Sequence, residues 1–227
     1  KDIEKAIELN PADARYFALR GDLYSKQNKT EQAISDYSYA LQLDKTLDHV
    51  YVKLYKLLLK QEKTEEAMQM IHKGIENNQE YYDYYNHLGE FDKKEKRYEQ
   101  AIDNFEKAVA LLENKKDEQK DNFFEEDNIL LITTQIGECY FCLEAYEKAY
   151  EFFKNINNIN STIFNCLLIL GRGDELLKRA DANDQALRAL IVIMNFYTII
   201  VKNTIDNYDI IDEKKKVLLM ENLILSL

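Results

Sequence analysis

Small and aromatic residues alternate with polar ones at helical spacing along most of the chain, and the pattern returns every 34 residues. Ala33 is followed at this interval by Ala67 and then by Ala101. The apolar position four residues further on holds, in turn, Tyr37, Ile71 and Phe105. A period of 34 residues with apolar positions in a fixed register is typical of arrays built from two-helix repeats.

The pattern predicts pairs of helices along the chain. They are expected near residues 12–26 and 30–43, 47–60 and 64–77, 81–94 and 98–112, 128–142 and 146–156, and 159–170 and 174–181. Two further helices are expected near 184–202 and 212–226. Asn28 falls in the turn of the first pair, and Thr30 is expected to cap the helix that follows, with Thr64 in the same role one repeat later.

Two copies of the repeat carry a recognisable signature. One reads Tyr85-x2-Leu88-Gly89 and then Ala101-x3-Phe105, and another reads Ile136-Gly137-x2-Tyr140 and then Ala149-x3-Phe153. These residues resemble the tetratricopeptide repeat, whose pattern is Trp-x2-Leu-Gly-x2-Tyr, then Ala-x3-Phe, then Pro. The resemblance covers residues 12–157, with 1–11 as the tail of an earlier copy. It implies an all-α fold, an α-solenoid in which helix-turn-helix repeats form a right-handed superhelix.

Small residues are expected where the two helices of a repeat touch, because a missing side chain lets the backbones approach. Gly21 and Gly89 hold this position in two copies, but Tyr55 holds it in the copy between them. We expect Gly74, on the second helix of that copy, to make room for the ring of Tyr55.

The predicted division of the chain has four parts. Residues 1–112 form an array of a partial repeat and three full ones, and 113–127 form a charged insertion. Residues 128–181 hold a further repeat and a degenerate one, and 182–227 hold the C-terminal helices. The chain begins inside a predicted helix and ends on one that is apolar on several sides, so we expect a segment of a longer protein.

Composition and charge narrow the classes of function. The net charge of −11 disfavours nucleic acid, whose phosphates need a basic surface. Three cysteines do not suggest a disulfide framework, which favours a reducing, cytoplasmic location. The apolar stretch 189–201 is shorter than the roughly 20 residues that cross a bilayer, so no membrane partner is expected.

No constellation of residues predicts catalysis, a cofactor or a metal. Cys139-x2-Cys142 has no second pair of ligands, and both thiols are expected to be buried inside a helix. His49, His72 and His87 hold unrelated places in their repeats. The sequence therefore predicts a protein that is not an enzyme.

The resemblance implies that the first helix of each repeat lines a concave groove where partner proteins or peptides bind. The candidate partner-binding residues are Arg15, Asp22, Lys26, His49, Lys56, Lys60, Asn86, Glu90, Lys94 and Glu138. The favoured function is a protein-interaction scaffold within a multi-subunit complex. The alternatives are a chaperone cofactor and the regulatory arm of an enzyme whose catalytic domain lies elsewhere.

Members of the family that bind the acidic tails of chaperones carry lysine and asparagine in the first copy and a basic pair in the third. Here Ala18 and Asp22 stand in the first copy, and Asp83 and His87 stand in the third. Carboxylates at these places would repel an acidic tail, so binding of such tails is not expected.

Overall fold

The computed structural model describes residues 2–118, 123–156 and 160–179, together with Ile191 and Ile199. Every regular element in those residues is a helix. The helices are α1 (Asp2–Leu9), α2 (Ala14–Lys26), α3 (Thr30–Leu43), α4 (Asp48–Lys60), α5 (Thr64–Asn77), α6 (Tyr82–Lys94), α7 (Tyr98–Glu118), α8 (Phe123–Cys142), α9 (Tyr146–Phe153), α10 (Ser161–Ile169) and α11 (Gly173–Arg179). Neighbouring helices pack in pairs, α2 with α3, α4 with α5, and α6 with α7. The predicted all-α array of helical hairpins is thus confirmed.

A three-residue turn with one backbone geometry closes each of these hairpins. Its middle residue has a left-handed φ angle, 58° at Asn28, 62° at Glu62 and 60° at Lys96. The residue after it donates its N–H to a carbonyl five positions earlier, as from Lys29 to Tyr24 at 2.9 Å. This bond satisfies a carbonyl that the end of a helix would otherwise leave unpaired.

The same turn overturns the capping predicted for two threonines. Thr30 and Thr64 are already helical, and the residues at the cap positions are Lys29 and Lys63, which form no side-chain capping bond. The tight turn places the last non-helical residue directly after the left-handed one. The threonine therefore comes one position too late to act as a cap.

Glycines lie where the two helices of a hairpin touch, as predicted, and they make space for aromatic rings. A Cβ atom at Gly21 would lie 2.7 Å from Cδ1 of Tyr37, and one at Gly89 would lie 2.6 Å from Cδ1 of Phe105. Both rings are buried, with 2% of Tyr37 and none of Phe105 exposed. Each ring thus fills the place of the missing side chain and joins the first helix of a repeat to the second.

The chain forms two compact units, residues 1–125 and 126–227. In the second unit, α9, α10 and α11 enclose an apolar cluster that includes Phe153, Leu167 and Ile191. Helix α7 ends and α8 begins within the segment 113–127. The four-part division stays a prediction. The two helices predicted near 184–202 and 212–226 lie outside the described residues, apart from Ile191 and Ile199.

Candidate functional site

Lysines from two neighbouring first helices face one open cavity in the first unit. Lys53, Lys56 and Lys60 follow one another at helical spacing along α4, so they share a face. The cavity has a volume of about 410 Å³. Its lining, called here the α2/α4 notch, consists of Asp22, Ser25, Lys26, Tyr37, Lys53, Lys56, Leu57 and Lys60.

Asp22 is fully engaged by groups of the protein itself. Lys53 Nζ donates to both of its carboxylate oxygens, at 2.7 and 2.9 Å. The Tyr37 hydroxyl donates to Oδ1 at 2.7 Å. Burial, and then this bond to the carboxylate, raise the pKa of Tyr37 well above its ordinary value. Asp22 therefore joins α2, α3 and α4, and the charge of Lys53 balances its own.

The remaining lysines leave the notch with a surplus of positive charge. Lys26 and Lys60 are exposed, and neither forms an ion pair within the described part of the chain. Lys56 is also exposed and interacts electrostatically with Glu90 on α6. Four lysines against one aspartate give the notch a net charge of +3, on a chain whose net charge is −11. Such a surface attracts carboxylate or phosphate groups.

Four of the predicted partner-binding residues line this notch together, namely Asp22, Lys26, Lys56 and Lys60. Lys53 and Tyr37 were missed. Lys53 could have been identified from the sequence, because it lies 31 residues after Asp22, close to one repeat length, and carries the opposite charge. Oppositely charged residues about one repeat apart lie on the first helices of adjacent repeats, so their side chains can form an ion pair.

Two other predicted residues lie near the N-terminal ends of their helices and do not line the notch. Arg15 is exposed and pairs with Asp13, the N-cap of α2, at 2.6 Å. His49 is exposed in the first turn of α4. The residues that line the notch come later in the same helices.

Helix α6 carries three further predicted residues in a mixed environment. Glu90 accepts a hydrogen bond from Nδ1 of buried His87 at 2.6 Å. This bond, together with attraction to Lys56 and Lys93, lowers the pKa of Glu90. Asn86 has a buried amide oxygen without a hydrogen-bond partner, and Lys94 is exposed at the end of the helix.

The last predicted residue, Glu138, belongs to the second unit. Its carboxylate accepts a hydrogen bond from Nδ2 of Asn160 at 3.0 Å. Asn160 also caps α10, because its side-chain oxygen accepts from the N–H of Ile163 at 2.9 Å. Glu138 thus supports the start of α10 within its own unit.

The cysteines and acidic residues form no metal site in the part of the chain that the structure describes. Cys139 and Cys166 are buried, but Cys142 is exposed, so the expectation that both thiols of the Cys139-x2-Cys142 pair are buried was wrong for Cys142. Position 142 ends α8, where the chain leaves the packed interior. Across the described residues, no three His, Cys, Asp or Glu side chains come together as metal ligands.

The helices in these ranges are too short or too polar to cross a membrane.

Two family models of the tetratricopeptide repeat match this chain, at residues 3–35 and 82–114. These two matches support a tetratricopeptide repeat protein. None of the curated proteins matches it significantly. The repeat is a protein-interaction fold, and the matches support a protein-interaction scaffold in general.

Solved structures of repeat proteins resemble the chain. YrrB, described as a TPR protein with an unusual peptide-binding site, is 21% identical with a TM-score of 0.58, over 83% of this chain and 96% of YrrB. PilF of Pseudomonas aeruginosa is 18% identical with a TM-score of 0.58, over 83% of this chain and 78% of PilF. MamA is 19% identical with a TM-score of 0.52, over 67% of this chain and 81% of MamA. At these identities the likeness concerns the fold.

Proposed function

We propose that this protein is a non-catalytic scaffold of a cytoplasmic multi-subunit assembly, and that its α2/α4 notch binds a short acidic segment of a partner protein. The observation that carries the proposal is the charge of the notch. Lys26 and Lys60 have no carboxylate left to pair with, because Asp22 is already bound by Lys53 and Tyr37, whereas Lys56 also faces Glu90 on α6. A partner's carboxylates would supply the missing counter-charges.

The shape of the notch also supports a peptide ligand. The lysines lie on α2 and α4, the first helices of two adjacent repeats, and Leu57 adds an apolar side chain to the lining. An extended segment running across the first helices can place successive side chains over α2 and α4. The likeness to YrrB, which is described as having a peptide-binding site, is consistent with this use of the fold.

The alternative of a chaperone cofactor is less well supported. Ala18 is buried, with 5% of its surface exposed, and Asp22 already holds Lys53. In the third copy, His87 lies between Asp83 and Glu90, at 3.4 and 2.6 Å. These positions offer no basic pair for a terminal carboxylate. A regulatory role beside a catalytic domain would use the notch in the same way.

The proposal is tested by fluorescence polarisation with a labelled ten-residue peptide of glutamate and serine. A peptide with glutamine in place of glutamate is the matched ligand. We expect the acidic peptide alone to bind, with an affinity that falls as salt rises, because the contact is between exposed charges. Lys26→Glu and Lys60→Glu should each weaken binding by about tenfold, since each replaces an attractive charge with a repulsive one.

Lys5→Glu is the control variant, because Lys5 is exposed on α1 and does not line the notch. It changes the net charge of the chain by the same amount as the notch variants. Equal weakening by Lys5→Glu would attribute binding to overall charge and would contradict a defined site. Binding of the glutamine peptide with equal affinity would contradict the acidic ligand.

A further inference from the structure

The first helices of three successive repeats end in a lysine at the same place in the repeat. Lys26, Lys60 and Lys94 are the last residues of α2, α4 and α6, and they follow one another at intervals of 34 residues. All three are exposed, and none forms an ion pair within the described residues. These three residues, called here the lysine row, place one unpaired ammonium group on each first helix.

The helix dipole alone does not explain the lysine row. A cation in the last turn of any helix stabilises the negative end of the dipole. The second helices α3 and α5 nevertheless have no basic residue in their last turns. A lysine at the helix end is therefore a feature of the first helices of these repeats.

The three lysines lie on the same side of the first unit. Lys26 and Lys60 both line the α2/α4 notch. Lys94 follows Glu90 by about one helical turn, just as Lys60 follows Lys56, so each pair shares a helix face. Lys56 and Glu90 interact electrostatically, so these two faces lie next to each other. The lysine row therefore continues from the notch onto α6.

The spacing of the first helices sets the distance between successive members of the lysine row. Helices α2 and α4 are joined by the bond from Lys53 to Asp22 at 2.7 Å. Helices α4 and α6 are joined by the bond from the Tyr55 hydroxyl to the carbonyl of His87 at 3.3 Å. The axes of packed helices lie about 8–10 Å apart. A ligand that pairs with all three ammonium groups therefore needs three anionic groups at about this interval.

A polyproline II segment has side chains at this interval. It has three residues per turn and rises about 3.1 Å per residue, so every third side chain lies on one face, about 9 Å from the last. A β-strand places every second side chain on one face, at intervals of about 7 Å. Acidic residues on a polyproline II segment therefore match the lysine row, whereas those on a strand do not.

We propose that the acidic segment bound by this protein is a polyproline II segment with a glutamate or aspartate at every third position. Its successive carboxylates pair with Lys26, Lys60 and Lys94 across three repeats. This inference rests on the proposed function, because two members of the lysine row line the notch. It adds Lys94, which does not line the notch, and it specifies the conformation and the spacing of the ligand.

The test compares three labelled ten-residue peptides by fluorescence polarisation. Each contains three glutamates, three prolines and four serines, and the glutamates stand at every third position, at every second position, or side by side. We expect the first peptide to bind about tenfold more tightly than the other two, because it alone reaches all three lysines. Lys94→Glu should remove this advantage and leave the binding of the peptide with adjacent glutamates unchanged.

A charge exchange locates the contact with Lys94. Two further peptides carry lysine in place of the first or the last of the three spaced glutamates. One of them should restore binding to Lys94→Glu, and which one does so gives the direction of the segment. Lys45→Glu is the control variant, because Lys45 is exposed between α3 and α4, outside the lysine row. It should keep the preference for the spaced peptide.

The outcomes separate this inference from the proposed function. Equal binding of the three peptides, an unchanged preference in Lys94→Glu, or rescue by neither exchanged peptide would overturn the lysine row. Weakening of all three peptides by Lys26→Glu would still support the notch in each of those cases. If none of the peptides bound, the proposed function itself would fail, and this inference with it.

Discussion

The ring of Tyr84 occupies the space beside Gly74, because a Cβ atom at residue 74 would lie 2.6 Å from Cε1 of that ring. The Tyr84 hydroxyl donates to the Asp48 carboxylate at 2.9 Å, which fixes the ring. The expectation that Gly74 makes room for Tyr55 was therefore wrong. Tyr55 is buried elsewhere, with its hydroxyl donating to the carbonyl of His87 at 3.3 Å.

Gly74→Ala should destabilise the protein by about 1–3 kcal/mol, because the new methyl group overlaps a ring that cannot move away. In an open helix the same change would stabilise by about 1 kcal/mol, so the sign of the effect reports the contact. Urea denaturation measures it. Gln69→Ala, at an exposed position of the same helix, should change stability by less than about 0.5 kcal/mol. A Gly74→Ala protein more stable than the wild type would contradict the packing.

Arg20 and Asp36 form a two-bond ion pair between α2 and α3, with distances of 2.7 and 2.8 Å. Asp36 is buried, so Arg20→Met should leave an unpaired buried carboxylate and cost about 2–3 kcal/mol. The double variant with Asp36→Leu should recover most of the loss, because it removes the stranded charge. A double-mutant cycle from denaturation curves measures the coupling. Additive losses would contradict a direct pair.

The three cysteines should differ widely in reactivity. Burial, and then the nearby charge of Glu147, raise the pKa of Cys166 to about 12, so little thiolate exists at pH 8. Cys142 is exposed. Iodoacetamide should therefore modify Cys142 first in the native protein, as read by peptide mass spectrometry. Unfolding in urea is the control and should make Cys139 and Cys166 react as well. Equal rates before unfolding would contradict the burial.

Glu90 should make stability depend on pH through its bond from His87. The folded pKa of Glu90 is lowered from 4.5, first by this bond and then by Lys56 and Lys93. The stabilisation is therefore present above pH 4.5 and is lost as pH falls through the folded pKa. Glu90→Gln should be less stable than the wild type by under about 1 kcal/mol near pH 6, since Glu90 is exposed, and the two proteins should converge in acid. Glu106→Gln, exposed on α7, is the control. A constant difference at every pH would contradict the assignment.

The sequence predicted the helical pairs well because each ring and small residue recurs in a fixed register that only a packed hairpin satisfies. The charged face of α4 was predictable from the spacing of Lys56 and Lys60. The pairing of Lys53 with Asp22 was not predicted, although two opposite charges 31 residues apart indicate adjacent first helices. Which of the lysines on α4 contacts Asp22 depends on how two repeats stack.

Arg179 closes the end of α9 within the second unit. Its Nη1 donates to the carbonyls of Phe153 and Ile156, both at 3.1 Å, and Nη2 donates to the carbonyl of Lys154 at 2.8 Å. A guanidinium can bind these three carbonyls at once, because its N–H donors point in several directions within one plane. The positive charge also lies at the negative end of the helix dipole.

Arg179→Ala should remove these three hydrogen bonds and cost about 2–3 kcal/mol, because only 15% of the side chain is exposed. Arg179→Lys should recover about half of the loss, since an ammonium keeps the charge but cannot span all three acceptors. Hydrogen exchange should show faster exchange in the last turn of α9 for Arg179→Ala, with the exposed neighbour Lys178→Ala as the control. Equally fast exchange in Lys178→Ala would contradict this role of Arg179. So would an Arg179→Lys protein as stable as the wild type, because the three bonds from the guanidinium would then not be what stabilises the end of α9.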